Sequence, residues 1–183
     1  MTTASDIDYG PLAMLIGSWA GAKGMDLAPE PDGSEASAYY ETLLFEAVGD
    51  VGNAERQTLA VLRYHQIVMR QSNDEVFHNE SGYWSWDADS ATVVQTLTIP
   101  RGVCLVAGAR IAADASEFEV SAAHDDADWG IVQSPFMRDN AKTLSFRHRI
   151  GVSNGVLSYD ETTMVDIYGN RFEHTDANEL HLA

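Results

Sequence analysis

The stretch Thr143-Leu144-Ser145-Phe146-Arg147-His148-Arg149-Ile150 alternates with a period of two. Leu144, Phe146, His148 and Ile150 share one face, and Arg147 and Arg149 the other. An extended strand with one face in a core sorts side chains this way, whereas a helix would scatter the arginines among the apolar residues. The C-terminal stretch repeats the pattern, with Phe172, His174, Leu180 and Leu182 opposite Arg171, Glu173 and Glu179. Working outward, the chain divides into short runs rich in β-branched and aromatic residues, bounded by turn residues. The expected strands are 18–26, 37–47, 57–70, 74–87, 91–99, 103–111, 116–123, 143–150, 156–165 and 171–182. Expected turns fall at Gly49-Asp50, Ser72-Asn73-Asp74, Asp87-Ala88-Asp89, Pro100-Arg101-Gly102, Ser153-Asn154-Gly155 and Gly169-Asn170. Ala28 to Ala36, rich in Pro, Glu, Gly and Ser, reads as a surface loop. No long amphipathic helix lies between strands, which argues against parallel crossovers. The expectation is an all-β, up-and-down antiparallel barrel of about ten strands, closed so that no edge is exposed. A short N-terminal helical turn, with Leu12, Leu15 and Ile16 at helical spacing, would plug one end. A barrel of this size holds more interior than its side chains fill, so a ligand cavity is expected.

Composition narrows the function. The 183 residues suit one domain spanning 1–183, with 45% hydrophobic and 21% charged residues. Net charge is −17, from 28 acidic and 11 basic residues. Such a surface repels phosphates, which argues against nucleic acid and anionic membranes as partners. The one cysteine, Cys104, can form no internal disulfide and no CxxC zinc site, and mid-strand it reads as buried and inert. The apolar stretch from Pro11 to Ile16 is too short for a signal peptide or a membrane span, and a cytoplasmic location is expected. The exposed β-surface admits a homodimer. HDDADW at 124–129 lacks the glycine and twelfth-position glutamate of a calcium loop and reads as a solvated acidic loop. No nucleophile–base set, Walker loop or dinucleotide fingerprint is present.

Several segments together resemble the nitrobindin family of heme-binding barrels, related in fold to fatty-acid-binding proteins. GSWAGAKG at 17–24 is similar to its G-x-W-x-G-x-G signature through Gly17, Trp19 and Gly21, with Lys23 in place of the third glycine. FHNESGYW at 77–84 resembles its H-x-E-x-G-Y strand through His78, Glu80, Gly82 and Tyr83. PRG at 100–102 is similar to a P-x-G turn. Lys142, LSY at 157–159, Met164 and His174 follow in the family's order. NAERQTLAVLRYHQ at 53–66 is longer than the family's segment, and Asp176 and Asn178 stand where small or apolar residues are usual, so the chain looks like a divergent member.

The resemblance implies heme b as cofactor, with His174 as the iron's axial ligand, His78 across the cavity with Glu80 as its partner, and Met164 and Ile99 as apolar walls. Trp19 and Gly21 would close the barrel beneath the ligand. It implies binding of nitric oxide and peroxynitrite and isomerisation of peroxynitrite to nitrate, with no catalytic residue beyond the iron. The residues by themselves leave other readings open. His174 and His78 could be hydrogen-bonded barrel histidines, His148 a satisfied core histidine, and His65, Arg147 and Arg149 solvated strand residues. The alternative function is a non-catalytic carrier of a fatty acid or other small apolar ligand, for which Arg63, on the parity of Val61 and Ile67, would be the inward guanidinium.

Overall fold

The computed structural model describes residues 7–183. A 3-10 helix, Gly10–Leu15, leads into β1 (Gly17–Glu30), β2 (Gly33–Ala54), β3 (Gln57–Arg70), β4 (Val76–Asp87), β5 (Thr92–Ile99), β6 (Val103–Arg110) and β7 (Glu117–Ala123). There follow β8 (Ile131–Gln133), the short helix α1 (Pro135–Asn140), β9 (Ala141–Ser153), β10 (Val156–Ile167) and β11 (Asn170–Leu182). The strands order as β5-β4-β3-β2-β1-β11-β10-β9-β7-β6, and β5 pairs back onto β6. This closes a ten-stranded antiparallel barrel, with β8 an extra strand on β6.

The alternation in β9 is what turns the chain into a wall. Phe146, His148 and Ile150 are buried, while Arg147 and Arg149 face out to Glu119 and Glu117. The pattern breaks at Leu144. Ser145 pairs with Met164 and Thr143 with Val165, so Leu144 is the extra residue of a β-bulge and is half-buried. Thr143, not Leu144, turns inward, because one inserted residue flips the parity of what precedes it.

One end of the barrel is filled. Leu12 and Leu15 of the 3-10 helix are fully buried, each burial contributing about 1.5–3 kcal/mol. Ile16, expected beside them, is 39% exposed because the chain is already leaving the helix. The Trp19 indole N–H donates to the Leu15 carbonyl at 2.8 Å and locks the plug to β1. Trp84, Trp86, Leu62 and Leu157 complete this end. Gly82, from the H-x-E-x-G-Y stretch, lets β4 approach β5 closely: a Cβ there would lie 1.8 Å from the Thr96 carbonyl oxygen.

Other expectations are corrected. Ala28 to Ala36 is not a loop: β1 and β2 pair down to Glu30 and Gly33 about a tight turn. Gly49-Asp50 is a bulge, with Gly49 at φ 116°, and the chain reverses after Ala54 instead. Cys104 is exposed, since Val103, Leu105 and Ala107 take the inward parity of β6. Leu182, at the strand's end, is 61% exposed. β8 and α1 went unforeseen. They fill a seam where β6 meets β7 only at Gly108 and Ser121, with the Trp129 ring covering Gly108.

Candidate functional site: a cavity lined by histidines and carboxylates

A cavity of about 270 Å³ lies toward the end bearing the β1–β2, β3–β4 and β10–β11 turns. Its apolar wall comes from Val68, Phe77, Leu97, Ile99, Val103, Leu105, Phe146 and Val165, and Met137 reaches it from α1. The polar part of the lining is Asp26, Gln66, His78, Glu80, Glu161, Thr163, His174 and Asp176. Arg70 also lines the cavity. It donates to Ser37 Oγ at 2.6 Å, lies 3.7 Å from Glu75 and stacks 4.4 Å above the Phe77 ring.

The structure thus brings His174, His78 and Ile99 to one cavity. Met164 does not join them. Tyr159, Glu161, Thr163 and Val165 take the inward parity of β10, so Met164 faces the other way. Arg63 is also outside, paired with Glu46, so the carrier reading loses its inward guanidinium, and Arg70 is the cavity's cation instead. His65 is on the outer surface, bonded to Asn79.

His174 Nε2 meets Asp26 Oδ1 at 2.6 Å and Asp176 Oδ2 at 3.5 Å. Burial pulls its pKa down, but the Asp26 hydrogen bond and the Asp176 and Asp26 charges outweigh burial and hold it above the ordinary histidine value. His78 Nε2 lies 3.4 Å from the buried Glu80, whose other oxygen accepts from the Tyr64 hydroxyl. Burial again opposes, and the Glu80 contact prevails, raising His78. Burial would lift Glu80, yet His78 and Tyr64 bring it below the usual carboxylate value.

Behind the wall lies a network that sequence reading missed. Glu41, 1% exposed, accepts hydrogen bonds from Gln66 Nε2 (2.6 Å), Asn178 Nδ2 (2.7 Å) and the Tyr159 hydroxyl (2.8 Å). The Tyr39 hydroxyl meets that of Tyr159 at 2.7 Å. Burial raises Glu41 despite these three donors. The available signal was a carboxylate at core parity in β2, two residues from Tyr39 and two from Leu43. Burial pushes Asp176 up to about 7, the His174 charge opposing and Asp26 reinforcing it. Glu161 is held well above the usual range by burial and by the Glu80, Asp176 and Glu41 charges. His148 is buried as expected but not satisfied: neither ring nitrogen has a hydrogen-bond partner, and burial drives its pKa down to about 4.

A closed antiparallel barrel whose cavity is lined by histidines, carboxylates and apolar side chains is a small-ligand-binding barrel. Residues 8–181 match the family model described as the THAP4-like, heme-binding beta-barrel domain, and the chain belongs to that family. The nitrobindin resemblance of its motifs is in accord. The crystal structure of Rv2717c from M. tuberculosis is similar, with a TM-score of 0.68 and 21% identity over 94% of each chain, a likeness of fold. A search of the curated proteins finds no match. Among the described residues no helix is long and apolar enough to cross a membrane.

The donor set fits a heme. In the neutral tautomer in which His174 Nε2–H donates to Asp26, the lone pair sits on Nδ1, and a carboxylate anchoring the far ring nitrogen is the usual arrangement behind a metal-bound histidine. The apolar lining residues would supply contact surface for a porphyrin.

Proposed function

We propose that the protein binds heme b in this cavity, with His174 as the axial ligand of the iron. The observation that carries the reading is the His174–Asp26 pair set in the wall of a largely apolar cavity. Asp26, 3% exposed, fixes the ring's tautomer and orientation. Attachment is non-covalent, because the only cysteine, Cys104, faces outward. Met137, Ile99 and Leu105 add apolar surface to the cavity's lining. His78, oriented through Nε2 by Glu80, offers a proton donor or acceptor to a small molecule entering the cavity. When bound, heme supplies an open coordination position and a Lewis acid, and the family resemblance points to nitric oxide and peroxynitrite as its ligands, with peroxynitrite isomerised to nitrate.

A hemin titration followed by absorption tests this. Wild-type protein gives a saturable Soret shift at one hemin per chain, and His174→Ala, shown to be folded by its thermal melt, loses it. A shift that survives the substitution, or no saturable shift in the wild type, refutes the assignment. Given the shift, peroxynitrite decay with and without the loaded protein tests the isomerisation.

A further inference from the structure

Three acidic side chains form a row across neighbouring strands inside the cavity. Asp26 of β1 is the direct cross-strand partner of Asp176 of β11, and Asp176 that of Glu161 of β10. All three line the cavity. Adjacent strands lie about 4.8 Å apart, and like charges directly opposite one another destabilise a sheet. The only cationic groups facing them among the described residues are histidines, His174 with Nε2 2.6 Å from Asp26 and 3.5 Å from Asp176, and His78 beside Glu80; Arg70 is engaged with Ser37, Glu75 and Phe77, and no lysine lines the cavity. Among the described residues nothing donates a hydrogen bond to Glu161. Next along the row stands His148, the partner of Glu161 across β9–β10, with Nδ1 3.7 Å from its carboxylate and both ring nitrogens unpartnered and buried. His174 completes the arrangement. One atom from each of Asp26, His174 and Asp176 lies within 4.8 Å of the other two.

We propose that Asp26, His174 and Asp176 bind one divalent transition-metal ion directly, without a porphyrin, and that Glu161 hydrogen-bonds the ion's water. Two carboxylates and an imidazole suit Zn²⁺, Mn²⁺, Fe²⁺ or Co²⁺, whereas Ca²⁺ and Mg²⁺ favour all-oxygen sets. The His174 Nε2 separations of 2.6 and 3.5 Å from the two carboxylates bracket the roughly 3.4 Å between tetrahedral donors bound at about 2.1 Å. The ion takes the place of the proton between Nε2 and Asp26 and compensates the row of like charges. It also puts the ring proton on Nδ1, so the ion belongs to the heme-free protein. The site does not depend on the heme reading, although it shares His174.

The test is titration of Co²⁺ into the chelator-treated full chain, followed by visible d–d absorption and calorimetry. One Co²⁺ per chain is expected, with the absorption abolished by Zn²⁺. Asp176→Asn and Asp26→Asn each weaken binding by more than about 100-fold, since losing a direct ligand exceeds the roughly 10–100-fold cost of losing an outer partner. Asp125→Asn, in the exposed acidic loop, leaves it unchanged. Binding without a defined stoichiometry, or equal binding by wild type and Asp176→Asn, overturns the proposal and leaves Asp26–His174 an ordinary ion pair. Should Asp26→Asn fail to fold, Asp176→Asn decides. That variant keeps His174, so its Soret titration separates failure of the metal site from failure of the heme reading.

Discussion

Replacing Asp176 with Asn in chelator-treated protein should stabilise it, and only above acid pH. The carboxyl is pushed from its ordinary 3.8 up to about 7, so the folded state resists an ionisation that the unfolded chain allows. The sign follows directly. Below pH 3.8 the group is protonated in both states and costs nothing. Between 3.8 and 7 the penalty grows, and above 7 it is constant. At about 1.4 kcal/mol per tenfold difference in proton affinity, the ceiling is about 4 kcal/mol. Because the side chain is 26% exposed and lies beside His174, about half of that is the reasonable expectation, near 2 kcal/mol. Asn keeps the shape and removes the charge. Urea unfolding at pH 8 should therefore show a gain of about 2 kcal/mol, or roughly 4–8 °C in Tm for a chain of this size. At pH 4.5 the gain should fall below about 1 kcal/mol. A variant that is destabilised, or stabilised equally at both pH values, refutes the reasoning.

Other perturbations probe the rest of the barrel. Gly82→Ala places a methyl 1.8 Å from the Thr96 carbonyl oxygen, and should cost more than about 3 kcal/mol in urea or fail to fold. Glu41→Ala strands three donors, Gln66, Asn178 and Tyr159, and should lower stability by about 3 kcal/mol or more in the same assay. His148 titrates near 4 when folded and near 6.5 when unfolded, so its contribution is intact above pH 6.5 and is lost progressively down to pH 4, by about 3 kcal/mol. His148→Phe should remove that loss and shift the acid-unfolding midpoint to lower pH. An unchanged midpoint would show that His148 does not govern the acid limb.

Local physics made most of the barrel legible. Side-chain direction in a strand has period two, so alternation in residues 143–150 and 171–182 announces a one-sided wall without reference to any partner, and turn residues mark where it reverses. His174 could be placed on an inward face for the same reason, whereas His78 and Glu80 were placed at the cavity by the resemblance of their motif. Parity fails wherever pairing inserts a residue. The bulge opposite Met164 and Val165 exchanged Leu144 for Thr143, and that at Gly49 turned an expected reversal into continuous strand. β8, only three residues long, exists because β6 and β7 part, a fact of closure rather than of its own composition.

The charged wall belongs to tertiary structure still more fully. Asp26, Glu41 and Glu161 are distant in sequence from one another and from Glu80 and Asp176, and each of the three alone reads as one more acid in a chain of net charge −17. Their proton affinities depend on burial and on one another, quantities that exist only once β1, β2, β4, β10 and β11 close around the same space. What the sequence by itself determined was the strand, its face and its turns, because those follow from neighbours along the chain. What the fold alone decided was which buried charges meet, because electrostatic energy depends on distances across strands that no single stretch of residues contains.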